Sequence, residues 1–143
     1  MPFVRREAEA LRAAGHEIEL FGFDNRRYRN FFHELRRLRA AVGELKPDLV
    51  HAQFGKFNAL LAALGGAPFV VTFRGTDINR NTRYSLARSA LGLAASQLAA
   101  FLARGIVCVS REIRAKVWAS RWRPSLVLPT GVDVALFQPA DRD

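Results

Sequence analysis

Cysteine and lysine are scarce in this 143-residue chain. Cys108 is the only cysteine, so no disulfide can form within one copy, which fits a reducing compartment. It sits in the apolar run IVCVS, where a small core residue is the expected role rather than a nucleophile. The signatures of cofactor and metal chemistry are missing too. No G-x-G-x-x-G and no Walker A pattern occurs, so dinucleotide and P-loop readings lack their phosphate cradle. There is no H-E-x-x-H, no paired cysteine and no G-x-S-x-G, and no metal site is expected. No pair of carboxylates has a spacing that suggests acid–base work. The three histidines are scattered: His16 behind a helix-ending glycine, His33 in an arginine-rich helix, and His51 at a strand end. For His51 two roles stand open, a packed and hydrogen-bonded histidine or a ligand contact. A membrane-spanning run is also lacking. The longest apolar stretch, Tyr84 to Ala103, is interrupted by Arg88, Ser89, Ser96 and Gln97 and reads as a buried amphipathic helix. The first residues form a charged helical stretch instead of an apolar leader.

Positive charge and apolar residues are plentiful. The net charge is +9, and 50% of residues are hydrophobic, enough for one domain with a packed core. The cations are mostly arginine; Lys46, Lys56 and Lys116 are the only lysines. From Arg74 to Arg123 only Asp77 and Glu112 oppose a run of basic residues. Such a surplus suits anionic partners, or forms solvated helix faces.

Periodicity predicts regular alternation. Phe3 to Ala14 has helical spacing and Gly15 ends it at C′. Ile18, Leu20 and Phe21 in EIELFGF predict a short strand over 17–21. A long helix follows, with Phe31, Leu35, Leu38, Val42 and Leu45 on one face and Arg36, Arg37 and Arg39 off it; Pro47 stops it. Then come a strand at 48–53, a helix at 57–64, a strand at 68–73, a helix at 83–103, a strand at 106–110, a helix at 111–120 and a strand at 125–129. TGVD at 130–133 reads as a turn. Continuous apolar strands alternating with helices predict an α/β fold: a Rossmann-like parallel sheet with helices on both faces. Residues 1–143 form a single domain on this reading.

In a parallel sheet every strand delivers its carboxyl end to the same side, where ligands bind. Four strand ends here are polar or glycine-containing: His51 and Gln53 with Gly55; Arg74, Gly75 and Asp77; Ser110; and Thr130, Gly131 and Asp133. These are the candidate substrate-binding residues. Capping is the competing role, and Asp77 suits it well. The helix with Arg29, Arg36, Arg37 and Arg39 also carries Tyr28, Phe31 and Phe32. It can face lipid, or pack on the sheet with a charged outer side.

The series EAEALRAAGHEIELFG, PDLVHAQFG, PFVVTFRGTDINR, RGIVCVSREIRAKV and SLVLPTGVDVALFQP resembles, in order, the acceptor-side N-terminal domain of GT-B glycosyltransferases of family 4. The resemblance covers nearly the whole chain. It implies a retaining transferase that moves a sugar from a nucleotide-sugar donor to a saccharide or lipid-linked acceptor, and the FRGTDIN form is similar to members building bacterial surface polysaccharides. By resemblance, Gly75 and Asp77 match the family motif, and Arg74 stands where a histidine is usual, at the reacting sugar. An arginine cannot act as a base but can hold an anionic group and stabilise charge, so Arg74 is the candidate catalytic residue. Gln53 replaces a second common histidine, Thr130 replaces an asparagine, and Ser110 matches a family serine. The resemblance also implies that the sheet's first strand, central between 17–21 and 48–52, and the donor-binding C-terminal domain lie outside these residues. Unless 17–21 pairs directly with 48–52, an apolar seam is then left open. No cofactor is expected in this chain and transfer by it alone is not expected. The expected location is cytoplasmic, at the inner face of the plasma membrane if the basic surface meets lipid. The alternative function is a non-catalytic module that docks on a membrane or partner. Nucleic acid is not expected, because aromatics are not interleaved with arginine on a strand platform.

Overall fold

A computed structural model of the chain describes residues 2–22, 30–79 and 85–131. The first helix, α1 (Pro2–Ala13), ends as its sequence predicts. Gly15 takes φ +92, its amide bonds the Arg12 carbonyl, and the His16 amide reaches back to Leu11. That paired closure needs a left-handed residue, which glycine supplies without strain. α2 (Phe31–Leu45) ends at Lys46, which adopts the left-handed conformation just before Pro47.

From there strand and helix alternate: β1 (Val50–Ala52), α3 (Lys56–Leu64), β2 (Phe69–Phe73), α4 (Leu86–Leu102), β3 (Gly105–Cys108), α5 (Arg111–Lys116), a 3-10 turn (Trp118–Arg121) and β4 (Ser125–Val127). All four strands pair in parallel, in the order β1-β2-β3-β4. The predicted α/β Rossmann-like sheet is therefore the observed fold. Register explains the core. Ala52 lies beside Val71, Val71 beside Ile106, and Phe73 beside Cys108, so one face collects the buried side chains. Ala59 and Ala62 of α3, Ala99, Ala100 and Ala103 at the end of α4, and Ile113 and Val117 pack on it. Alanines there let the helices approach closely. α2 packs outside α3 through Leu35, Leu38 and Leu61. The opposite face carries His51, Val70, Thr72 and Val107, and α1 reaches it where Glu7 approaches His51.

Three expectations are corrected. Residues 17–21 form no strand, and Leu20 and Phe21 are exposed. A strand needs a neighbour for its amides and carbonyls, and among the described residues none lies beyond β1; the seam stays open. The last helix does not run to Ser120. Gln97 of α4 donates its side-chain amide to the Lys116 carbonyl and accepts from the Trp118 amide, at 2.8 and 3.1 Å. That clamp takes backbone groups the helix needs, and Val117 goes extended between them. Leu45, placed on the apolar face of α2, is exposed; the packing against α3 runs from Phe31 to Val42 and stops short of it. Residues 80–84 and 132–143, with the predicted starts or ends of two elements, lie outside the described residues.

Candidate functional site at the strand carboxyl ends

The rim is built on the loop after β2. Gly75 sits at φ +120, a conformation that L side chains rarely adopt. This bend folds Asp77 back beneath the end of the strand. The Asp77 carboxylate is 2% exposed and accepts from three backbone amides: Gly55 at 3.0 Å, Gly75 at 2.8 Å, and Arg74 at 3.1 and 3.2 Å to its two oxygens. It thus joins the loop after β1 to the loop after β2. Ser96, fully buried on α4, completes the joint. Its hydroxyl donates to the Asp77 carbonyl and accepts from the Lys56 amide, both at 2.7 Å. Gly55 is needed for space: a Cβ there would lie 2.6 Å from the Ser96 hydroxyl and 2.7 Å from the Phe73 ring.

With its backbone held this way, Arg74 extends across the rim. Its Nη2 donates to Gln53 at 2.7 Å and to Glu7 at 3.0 Å, and its Nη1 donates to Thr130 at 3.1 Å. The Phe3 ring lies under the guanidinium, 4.3 Å from centre to centroid, a cation–π contact. The side chain is 13% exposed, and Nε is buried with no hydrogen-bond partner. His51 stands alongside. Its Nε2 is 2.7 Å from the Thr72 hydroxyl, and its Nδ1 is 3.4 Å from the Gln53 amide nitrogen and 3.7 Å from Glu7. Since the Gln53 oxygen accepts from Arg74, its amide NH2 faces Nδ1, so Nδ1 accepts and Nε2–H donates to Thr72. Burial lowers the His51 pKa below its ordinary value; Glu7 opposes that and Arg74 adds to it. The imidazole is neutral at pH 7.

Strand topology therefore brings together His51, Gln53, Arg74 and Thr130, which are distant in sequence. Other expected residues take different places. Asp77 and Gly55 were expected to meet ligand; both are buried, and their polar groups are spent on the loop joint. Ser110 caps α5, its hydroxyl accepting from the Ile113 amide at 3.2 Å. Gly131 is exposed next to Thr130. Asp133 and Arg29 lie outside the described residues. Arg36, Arg37 and Arg39 are exposed on α2, away from this cluster; Arg37 pairs with Glu34 at 2.7 Å and Arg39 bonds the Leu64 carbonyl.

Sequence reasoning missed Glu7, Phe3 and Ser96. Glu7 and Phe3 sit four apart on α1, hence on one helix side, and that spacing was the available signal. Nothing local says that this side meets β1. Cys108 is where the sequence put it, in the core, and burial pushes its thiol up to about 11, against a lowering influence from Arg114. Among the described residues no group of three or more His, Cys, Asp or Glu side chains is placed to hold a metal ion.

Chemically, the rim offers one carboxylate, one guanidinium, an amide, a hydroxyl and a neutral imidazole on a half-open surface. This is a hydrogen-bonding platform suited to a polyhydroxylated or anionic ligand. The family model described as Glycosyltransferase Family 4 matches residues 3–136. No curated protein matches the chain.

Proposed function

The chain belongs to glycosyltransferase family 4, and on that premise we propose that it is the acceptor-side domain of a retaining glycosyltransferase. It presents a saccharide or lipid-linked acceptor to a nucleotide-sugar held by a second α/β half, in the synthesis of a cell-surface polysaccharide at the cytoplasmic side of the membrane. The observation that carries this reading is the convergence of Gln53 and Thr130 on the Arg74 guanidinium at the carboxyl ends of parallel strands.

Arg74 is the centre of the proposed mechanism. It cannot accept a proton, so its part is to bind an anionic group and stabilise charge as the leaving phosphate departs. Glu7 now lies on that guanidinium and Phe3 covers its face. An anionic ligand group takes the place of Glu7, while Gln53 and Thr130 hold the fork in plane. Neutral His51 supplies orientation through Gln53.

Binding of a uronic-acid oligosaccharide to the 143-residue chain, followed by calorimetry, tests the assignment. Replacing Arg74→Ala is expected to weaken binding by roughly tenfold or more, the scale of one lost charge-assisted contact. Arg74→Lys restores charge without the fork and recovers only part of it. Unchanged binding by a folded Arg74→Ala protein refutes the role. Turnover of labelled nucleotide-sugars by the chain alone refutes its dependence on a second half.

The α2 arginines support lipid contact less well than their number suggests, because Arg37 and Arg39 are engaged within the protein. The alternative, a docking module, draws its support from another face.

A further inference from the structure

Both tryptophans of the chain, Trp118 and Trp122, are exposed, at 61% and 69%. Large apolar side chains at the surface in numbers mark contact sites. Here they gather on α4 and on the turn that Gln97 ties to it. Trp122 stacks on Phe101 at 5.9 Å, and the Gln97 clamp fastens Trp118 to the same helix. Leu91, Leu98 and Leu102 repeat at helical spacing along α4 and are each at least half exposed. α4 ends at Leu102 and the chain enters β3 at Gly105, so the patch extends toward the strands' amino ends, away from Arg74. Arg104, Arg121 and Arg123, all exposed, lie at that same end.

We propose that this face of α4 and the 3-10 turn is a docking surface for anionic lipid. The composition selects that occupant. Leucines supply apolar contact, tryptophans carry an N–H suited to the headgroup level, and arginines reach outward to phosphates. From Leu86 to Arg123 the only carboxylate is Glu112, and Lys116 holds it at 2.6 Å. A second copy of the chain would set this cationic face against its like, so charge opposes self-association here. No helix among the described residues is long and apolar enough to cross a membrane; the contact is interfacial. The proposal stands apart from sugar transfer, since the patch shares no residue with the rim.

The tryptophans report the test directly. The full chain is mixed with vesicles of phosphatidylglycerol and phosphatidylcholine, or of phosphatidylcholine alone, while tryptophan emission and co-sedimentation are followed. A blue shift and sedimentation with the anionic vesicles are expected, weakening as salt is raised. Leu98→Glu with Leu102→Glu, which keeps both indoles and alters only exposed positions, is expected to reduce binding at least tenfold. Arg121→Glu with Arg123→Glu is expected to reduce it by roughly fivefold per charge. No blue shift on anionic vesicles, equal binding by both variants, or a shift that grows with protein concentration in the absence of lipid overturns the proposal.

Discussion

Asp77 and Glu7 meet the same arginine from opposite sides. Asp77, in the loop after β2, takes the Arg74 backbone amide; Glu7, on α1, takes its guanidinium. Asp77 is 2% exposed and surrounded by fixed amide donors, whereas the Glu7 side chain is 32% exposed and partnered by side chains. A carboxylate covered by backbone donors has no lone pair left for a ligand and serves the architecture. One that is itself partly exposed and bonds only side chains keeps oxygens that a ligand can reach and replace. The two kinds cannot be told apart by residue type, and the motif drew attention to the one that is spent.

The comparison breaks most visibly at Asp77. Replacing Asp77→Ala leaves the amides of Gly55, Arg74 and Gly75 without their acceptor in a buried joint, at a cost of about 3–5 kcal/mol. Asp77→Asn keeps the shape but turns an NH2 toward donors, costing about 2–3 kcal/mol. Urea unfolding midpoints measure both. A loss below about 1 kcal/mol for the alanine variant shows that the joint does not depend on the carboxylate and removes the distinction. At Glu7 the effect should appear in binding instead. Glu7→Gln is expected to change stability by less than about 1 kcal/mol, as for a partly exposed ion pair. It is also expected to raise affinity for glucuronate or inorganic phosphate by roughly fivefold, since the competing charge is gone. Unaltered anion affinity means that Glu7 does not occupy the ligand's position.

The legible and illegible parts of this molecule divide along the range of the forces involved. α1, α2, the strands β1 to β4 and the helices between them were readable because apolar runs, Gly15, Pro47 and Ser110 act within a few residues. The rim was readable in outline because parallel topology alone sends strand ends to one side. Residues 17–21 have a strand-like pattern, yet a ladder depends on a neighbour whose place in the sequence no local pattern gives. The early end of α5 depends on Gln97, a side chain on another helix. Glu7 and Phe3 reach Arg74 only because α1 lies over the sheet end, which no local spacing encodes. Ser96 looked like a polar interruption of an apolar helix; its hydroxyl is one of the two groups that hold the rim loops together.

His51 gives the smallest effect and tests whether the exchangeable side of the rim is electrostatically tuned. Its pKa in the folded protein lies below 6.5, chiefly because burial disfavours the cation, with Arg74 acting in the same direction and Glu7 against it. An unfolded chain therefore binds this proton more readily than the folded one. Stability from this group is full above about pH 6.5 and falls as pH drops through that value toward the folded pKa. Urea midpoints measured from pH 7.5 to pH 5 should decline, and His51→Gln, which keeps a donor toward Thr72 but cannot titrate, should flatten that decline. Glu7 and Arg74 have opposite influences on the same imidazole, so the rim variants sharpen the result. Glu7→Gln removes the raising influence and should shift the His51 titration, followed by NMR, to lower pH; Arg74→Ala should shift it upward. A His51 titration indifferent to both substitutions would mean that burial alone sets its pKa and that the three side chains do not act as one electrostatic unit.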